Sequence, residues 1–207
     1  MSELYDAILH GNAKAAVEAT RAALAAGSLA LELVSRDMIP AMDEVGRLYH
    51  CEEYFVPELL LAARAMKGAL ELLRPLLAAG GAEPVGRVAI GTVKGDLHDI
   101  GKNLVGAMLE GAGFEVIDLG ADVSAEQFVD AVRSRNANLI CLSALLTVTM
   151  PAMKTTIEAL SAAGVRGQVK VLVGGAPVTQ KFADQIGADG FGEDATAAVA
   201  LARRLAD

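Results

Sequence analysis

The chain has 207 residues, of which 53% are hydrophobic, and carries a formal net charge of −8 at pH 7. This length allows two small domains with apolar cores, whereas an acidic balance without a basic face argues against a nucleic-acid partner. Charge or glycine interrupts every apolar stretch before about 20 residues, and neither a secretory signal nor a transit peptide is visible, so we expect no membrane association and a cytoplasmic protein.

Two cysteines, Cys51 and Cys141, lie far apart in the sequence and form no Cys-x-x-Cys pair. That pattern fits neither a disulfide framework nor a zinc site, so we expect reduced thiols. Cys141 lies inside an apolar run and is expected to be a small core residue.

Residues 2–80 show helical periodicity without the alternation of a strand, and they predict a bundle of four or five helices. Pro40 is expected to kink or interrupt the third helical segment near residues 36–39, because proline removes a donor and clashes with the preceding turn. Pro57 lies at the favoured first turn of the last helix. The predicted organisation is a helical domain over 1–80, a linker over 81–86 and a second domain over 87–207.

Beyond the linker, apolar strand-like runs alternate with helical segments, the pattern of a doubly wound parallel sheet. The predicted fold class is therefore α/β: a helical bundle followed by a five-stranded Rossmann- or flavodoxin-like domain. Ser124-x-x-Gln127, with Asp122 nearby, predicts a structural capping box. The predicted strands are 85–93, 114–118, 139–142, 169–173 and 188–191, and the predicted helices are 100–111, 124–134, 150–162, 178–186 and 194–205.

Asp96 and His98 lie on the loop between the first strand and its helix, at the carboxyl end where open parallel sheets bind ligands. A carboxylate that accepts a proton from one ring nitrogen fixes the imidazole tautomer and leaves the other nitrogen for a metal or a proton. By themselves these residues also allow plainer interpretations. His98 suits a loop imidazole bonded to a neighbour, Ser143 and Thr147 suit helix caps, and Gly174-Gly175 suits a turn.

Three separated motifs favour the functional interpretation. Asp96-x-His98-x-x-Gly101, then Ser143-x-Leu145-x-Thr147, then Gly174-Gly175, resemble the cobalamin-binding domain of methionine synthase and of corrinoid methyl-carrier proteins. The resemblance implies a cobalamin cofactor, methylcobalamin or a related corrinoid, with His98 as the lower axial ligand of cobalt. It implies that the displaced nucleotide tail enters the sheet. The implied cofactor-binding residues are Gly95, Asp96, Leu97, His98, Asp99, Ile100, Gly101, Ser143, Leu145, Thr147, Gly174, Gly175 and Ala195.

Thr149 stands where methionine synthase has a serine, and the resemblance implies that it completes a relay through Asp96 to His98. The stretches 39–49 and 52–59 are similar to the helical domain that covers the upper face of the corrin ring in the same family. Tyr49 and Val56 match its capping residues, which are Phe and Leu in methionine synthase. The alternative is that Tyr49, Phe55 and Val56 close the bundle core.

The resemblance implies a protein that shuttles a methyl group on cobalt rather than one that catalyses turnover alone. Its implied partners are a substrate methyltransferase, an acceptor methyltransferase that uses a pterin such as tetrahydrofolate or a thiol, and a reductive activase. A cobalamin-dependent sensor or regulatory module is the alternative; for a sensor we would expect a DNA-binding winged helix with a basic face, and the sequence shows no such face. A mutase subunit would lack the capping bundle, and a nucleotide or flavin domain would show Gly-x-Gly-x-x-Gly after the first strand.

Overall fold

The computed structural model describes residues 2–79 and 84–206. Their contacts divide the chain into two compact units, Met1–Pro84 with Ala107–Gly113, and Val85–Gly106 with Phe114–Asp207. Residues 81–83 of the predicted linker lie outside the described residues, and the predicted domain boundaries stay a prediction. Within the described residues, no helix combines the length and apolar character needed to cross a bilayer.

Residues 2–79 are helical, as predicted. Ser2 caps the first helix by accepting a hydrogen bond from the backbone N–H of Tyr5, and Asn12 caps the second in the same way. Buried Ile8, Met38 and Leu59 belong to the core of this helical bundle. The helices are α1 (Glu3–Leu9), α2 (Ala13–Ala25), α3 (Ala30–Leu33), α4 (Ile39–His50) and α5 (Val56–Ala79).

A single π-helical segment, Val34–Met38, joins α3 to α4. Its closing hydrogen bond runs from the backbone N–H of Ile39 to the carbonyl of Val34, one residue farther back than in an α-helix. Pro40 follows at once in the first turn of α4, and the widened turn before it accommodates a residue that cannot donate a helical hydrogen bond. The predicted interruption before Pro40 is thus confirmed, and it takes the form of a widened turn.

Residues 84–206 contain five strands that alternate with five α-helices, and the predicted α/β class is confirmed. All strand pairs are parallel, in the order β2-β1-β3-β4-β5. The capping box of Ser124 and Gln127 opens α7 as predicted. The elements are β1 (Arg87–Thr92), α6 (Ile100–Gly111), β2 (Glu115–Asp118), α7 (Ala125–Arg135), β3 (Leu139–Ser143), α8 (Pro151–Ala162), a 3₁₀ turn (Arg166–Gln168), β4 (Lys170–Gly174), α9 (Gln180–Ile186), β5 (Gly190–Gly192) and α10 (Ala195–Ala206).

The central strands β1, β3 and β4 are almost entirely buried, as expected for a sheet covered on both faces. Cys141 in β3 is part of this core, as predicted, and burial raises the pKa of its thiol to about 12. Cys51, in contrast, is exposed, and both thiols are free.

The chain reverses its winding direction at β1, which lies between β2 and β3. This strand order is the flavodoxin-like one, and its ligand crevice lies at the β1/β3 switch point. The register pairs Thr92 with Ser143 and Ser143 with Gly174, so the carboxyl ends of three strands end level with one another. The loops after β1, β3 and β4 therefore meet at one edge of the sheet.

Candidate functional site

The imidazole of His98 is held by a neighbouring carboxylate. Its Nδ1 lies 2.7 Å from Oδ1 of Asp96, and the backbone N–H of His98 donates to the same oxygen at 3.0 Å. An ionised carboxylate only accepts hydrogen bonds, so Nδ1 carries the proton of the neutral imidazole and the lone pair is on Nε2. The side chain of His98 is 51% exposed, so the ring is accessible at the switch point.

Asp96 is completely buried, and its second oxygen is equally well satisfied. Oδ2 accepts hydrogen bonds from the backbone N–H groups of Leu145 at 2.8 Å and Leu146 at 3.2 Å, and the hydroxyl of Thr149 lies 2.7 Å away. Burial alone would raise the pKa of Asp96, but the hydrogen bonds from Thr149, His98 and Leu145 outweigh it and hold the pKa well below its usual range. Asp96 is therefore ionised at neutral pH, and its negative charge lies next to the imidazole of His98.

Thr92, the last residue of β1, anchors the same loop. Its buried hydroxyl donates a hydrogen bond to the backbone carbonyl of His98 at 3.0 Å. The sequence alone does not single out Thr92, because a threonine that ends an apolar run is typical of any strand. The position at the strand end, two residues before Lys94 and the motif, is the signal that was available.

Large apolar side chains are exposed in the segments that follow β1 and β3, two strands that are adjacent in the sheet. Several exposed apolar side chains at one edge of a sheet indicate a binding surface. Its members, here called the apolar rim, are Leu97, Ile100, Leu145, Leu146 and Val148, which are 40–80% exposed.

The positions of the predicted glycines require glycine for different physical reasons. A Cβ on Gly175 (φ +123°) would lie 1.9 Å from the carbonyl oxygen of Ala144, and one on Gly174 would lie 3.0 Å from that of Gly192, so the fold itself requires small residues there. Gly95 has φ +86°, which suits a tight turn. A Cβ on Gly101, in contrast, would meet nothing within 4 Å, so packing within the chain does not explain this glycine.

The remaining predicted residues of this edge lie after β3, after β1 and at the start of α10. Ser143 ends β3 half-buried, Thr147 is exposed on the following loop, and Asp99 immediately precedes α6. Ala195 is buried as the first residue of α10. The next residue, Thr196, was missed by the sequence analysis: its hydroxyl oxygen is buried and has no hydrogen-bond partner among the described residues.

Tyr49 and Val56 lie in the helical bundle. Tyr49 is partly buried near the end of α4, and Val56 is 39% exposed at the start of α5. Phe55 is also exposed. The alternative in which Phe55 and Val56 close the bundle core is therefore wrong, and the role of Tyr49 and Val56 at the cofactor stays a prediction.

Comparison with known families accounts for both parts of the chain. Residues 86–202 match one family model described as a B12 binding domain, and residues 2–74 match a second model with the same description. The chain belongs to the B12-binding family. Its cofactor is accordingly a corrinoid, as the sequence motifs predict.

Relatives of this B12-binding protein carry corrinoid names. Dimethylamine corrinoid protein 1 of Methanosarcina acetivorans is 45% identical over 84% of this chain and 82% of its own length. A corrinoid protein of Desulfitobacterium hafniense is 41% identical over 99% of this chain and 96% of its own. The methanol:cobalamin methyltransferase complex MtaBC from Methanosarcina barkeri contains a chain that matches with 33% identity and a TM-score of 0.86, covering 99% of this chain and 78% of that one.

The described residues fit a corrinoid at the switch point. A corrin macrocycle supplies four of the ligands of its metal, so a single protein nitrogen would be enough to hold the metal as well, and Nε2 of His98 would be available for this. Gly101, three residues after His98, leaves open space where a side chain would lie, and the unpartnered hydroxyl of Thr196 provides a buried donor and acceptor near the start of α10. The apolar rim supplies the contact surface that a large, mostly apolar ring requires.

Proposed function

We propose that this B12-binding protein is a methyl carrier, a non-catalytic subunit that serves two separate methyltransferases. One partner transfers a methyl group from a methylated substrate to the carrier, and the other moves it to a pterin such as tetrahydrofolate or to a thiol. When bound, the corrinoid supplies a cobalt centre that accepts and releases methyl groups. Support comes from the relatives whose names pair corrinoid proteins with dimethylamine and with methanol.

The observation that carries the proposal is the Asp96–His98 pair. Because Nδ1 is committed to a buried, charged carboxylate, the imidazole ring is oriented and Nε2 is left for one metal bond. We therefore propose that His98 is the lower axial ligand and that the cofactor's own base is displaced. Thr149 and the backbone of Leu145 hold Asp96 from the opposite side, which limits rotation of the carboxylate.

The remaining predicted residues take supporting roles in this proposal. The loop from Gly95 to Gly101 and the apolar rim contact the lower face of the ring. Ser143, Thr147, Gly174, Gly175 and Ala195 line the pocket for the displaced tail. Tyr49 and Val56 remain proposed cofactor contacts of a helical domain over 1–80, with a linker over 81–86 and a cofactor domain over 87–207.

A reductive activase completes the proposed set of partners, because a cobalt centre that cycles through its most reduced state is open to oxidation. The cytoplasm remains the predicted compartment.

The axial ligand is tested with cobinamide, a corrinoid that lacks the nucleotide base. Apoprotein is loaded with cobinamide, reduced to the cobalt(II) state and studied by electron paramagnetic resonance. Splitting from one nitrogen nucleus is expected in the wild type, where the protein is the source of that ligand, and is expected to vanish in His98→Gly. Splitting that persists in His98→Gly, or that is absent from the wild type, contradicts His98 as the axial ligand.

Methyl transfer is tested separately with holoprotein and isotopically labelled methanol or methylamines in an extract of the source cells. Label that stays with the re-isolated holoprotein, and that leaves on addition of tetrahydrofolate or a thiol with extract, supports the carrier function. Holoprotein that binds the corrinoid through His98 yet acquires no label from any donor supports the sensor alternative instead.

A further inference from the structure

Asp122 lies on the loop between β2 and α7 and has an uncommon backbone conformation. Its φ is +56°, in the left-handed region that few residues other than glycine, asparagine and aspartate adopt readily. The capping box that starts α7 is made by Ser124 and Gln127. A helix-capping role therefore does not explain Asp122.

The contacts of Asp122 are with the loop that carries His98. Its Oδ1 accepts a hydrogen bond from the backbone N–H of Gly95 at 2.8 Å, and its Oδ2 lies 2.9 Å from Nζ of Lys94. Its own backbone N–H donates to the carbonyl of Asp96 at 2.9 Å. One residue thus contacts three consecutive residues just before His98.

Neighbouring contacts attach the same two segments to each other. The backbone N–H of Thr92 donates to the carbonyl of Gly120, and the N–H of Val123 donates to the carbonyl of Thr92. Val93 and Val123 form an isolated parallel bridge. Since these bonds hold the strand end in place, Asp122 acts on the part of the loop beyond it, where Gly95 turns the chain with φ +86°.

We propose that Asp122 is a positioning residue, which clasps the Lys94–Asp96 segment so that His98 stays on the cobalt rather than leaving it. The inference rests on the proposed axial role of His98. A ligand on a mobile loop loses conformational freedom each time it binds the metal, whereas a ligand on a loop already ordered by Asp122 loses less. Groups hydrogen-bonded directly to a metal ligand typically change metal affinity about 10- to 100-fold, and Asp122, one contact farther from the metal, is expected to act at the lower end of that range.

Three substitutions separate the contributions of Asp122. Asp122→Gly keeps the positive φ and removes both side-chain contacts, so the ratio of His98-bound to His98-free cobalt is expected to fall about tenfold. Asp122→Asn tolerates the same φ and keeps an oxygen for Gly95, so it is expected to retain most of the wild-type ratio. Lys94→Met removes an ion pair between partly exposed groups and is expected to have little effect.

The measurement uses full-length protein loaded with cobinamide in the cobalt(II) state. The share of the cobalt(II) signal intensity that shows nitrogen splitting gives the ratio of His98-bound to His98-free cobalt. Asp130→Asn, on the exposed face of α7, controls for the loss of one negative charge. A wild-type ratio in Asp122→Gly, or an equal loss in Asp130→Asn, overturns the proposal. Absence of splitting in the wild type contradicts the axial role itself, whereas its loss in His98→Gly but not in Asp122→Gly contradicts Asp122 alone.

Amide hydrogen exchange of the wild-type apoprotein tests the clasp even if Asp122→Gly does not fold. Gly95 is exposed, yet its N–H is bonded to Asp122, so we expect exchange markedly slower than that of an unbonded loop amide. In Asp122→Gly this amide is expected to lose its protection while the amides of β3 and β4 keep theirs. Exchange of Gly95 at the unprotected rate in the wild type overturns the proposal.

Discussion

The hydroxyl of Thr149 lies 2.7 Å from Oδ2 of Asp96, the carboxylate oxygen that does not contact the imidazole of His98. Both side chains are buried, and they are 53 residues apart in the sequence. The hydroxyl also lies 2.8 Å from the carbonyl of Leu146 and has one proton to donate. Thr149 thus joins the loop after β3 to the loop after β1.

Removal of this hydroxyl should destabilise the apoprotein. Thr149→Val leaves Oδ2 of Asp96 with backbone donors alone, and the loss of a hydrogen bond to a buried charge costs about 2 kcal/mol. Thr149→Ser keeps the hydroxyl and is expected to lie within about 1 kcal/mol of the wild type. Urea unfolding of all three apoproteins at pH 7 gives the free energies of unfolding, and equal values for Thr149→Val and the wild type would contradict the contact.

A substitution at Gly101 should affect cofactor binding without affecting folding. A Cβ at this position meets nothing within 4 Å, and the residue is the second of α6, so Gly101→Ala is expected to leave the apoprotein as stable as the wild type or more stable by about 0.5–1 kcal/mol. If the glycine admits the corrinoid ring, affinity for cobalamin should fall at least tenfold. Thermal unfolding and titration with cobalamin measure the two effects. Unchanged affinity would show that the ring does not approach Gly101.

Gly175 should behave in the opposite way. In Gly175→Ala the new Cβ meets the carbonyl oxygen of Ala144 and occupies a backbone conformation with φ +123°, so the apoprotein is expected to lose more than about 2 kcal/mol of stability. Gly164→Ala is the matched control, because φ is +74° there and the Cβ has open space. It should cost about 1 kcal/mol from backbone strain alone. Equal losses in the two variants would contradict the steric contribution at Gly175.

The lowered pKa of Asp96 predicts that the free energy of unfolding depends on pH in the acid range. Its pKa is lowered in the folded protein, so its contribution to stability is complete above the unfolded pKa of about 4 and is lost as the pH falls below that value. The wild type is therefore expected to lose up to about 1.4 kcal/mol per pH unit from this residue between pH 4 and pH 3. Asp96→Asn should be less stable at pH 7 and should lack this part of the slope.

Urea unfolding at intervals of half a pH unit from pH 5 to pH 3 measures the slope. Asp130→Asn serves as the control, because Asp130 is exposed and its replacement should leave the slope unchanged. An Asp96→Asn variant that follows the wild-type curve would show that the hydrogen bonds to Asp96 do not favour its charged form.

Local patterns were enough to predict the types of secondary structure and the centre of the site. The spacing of apolar residues depends on the helical or extended backbone alone, which is why the bundle and the alternating strands and helices were predicted from sequence. Pro40 likewise marked the interruption of a helix through its own covalent structure. Asp96 and His98 could be paired because two residues of separation keep them within hydrogen-bond reach.

Tertiary structure decided which distant residues join that pair. The placement of β1 beside β3 brings Thr149 to Asp96, and the return of the chain after β2 brings Asp122 to Gly95. Thr92 and Asp122 have ordinary local sequence contexts, and their contacts arise from strand order and loop packing. Periodicity records which face of an element is buried, but strand order depends on the packing of the whole sheet. For that reason Thr149 was joined to Asp96 only through the family resemblance, and the contacts of Thr92 and Asp122 emerged from the folded chain alone.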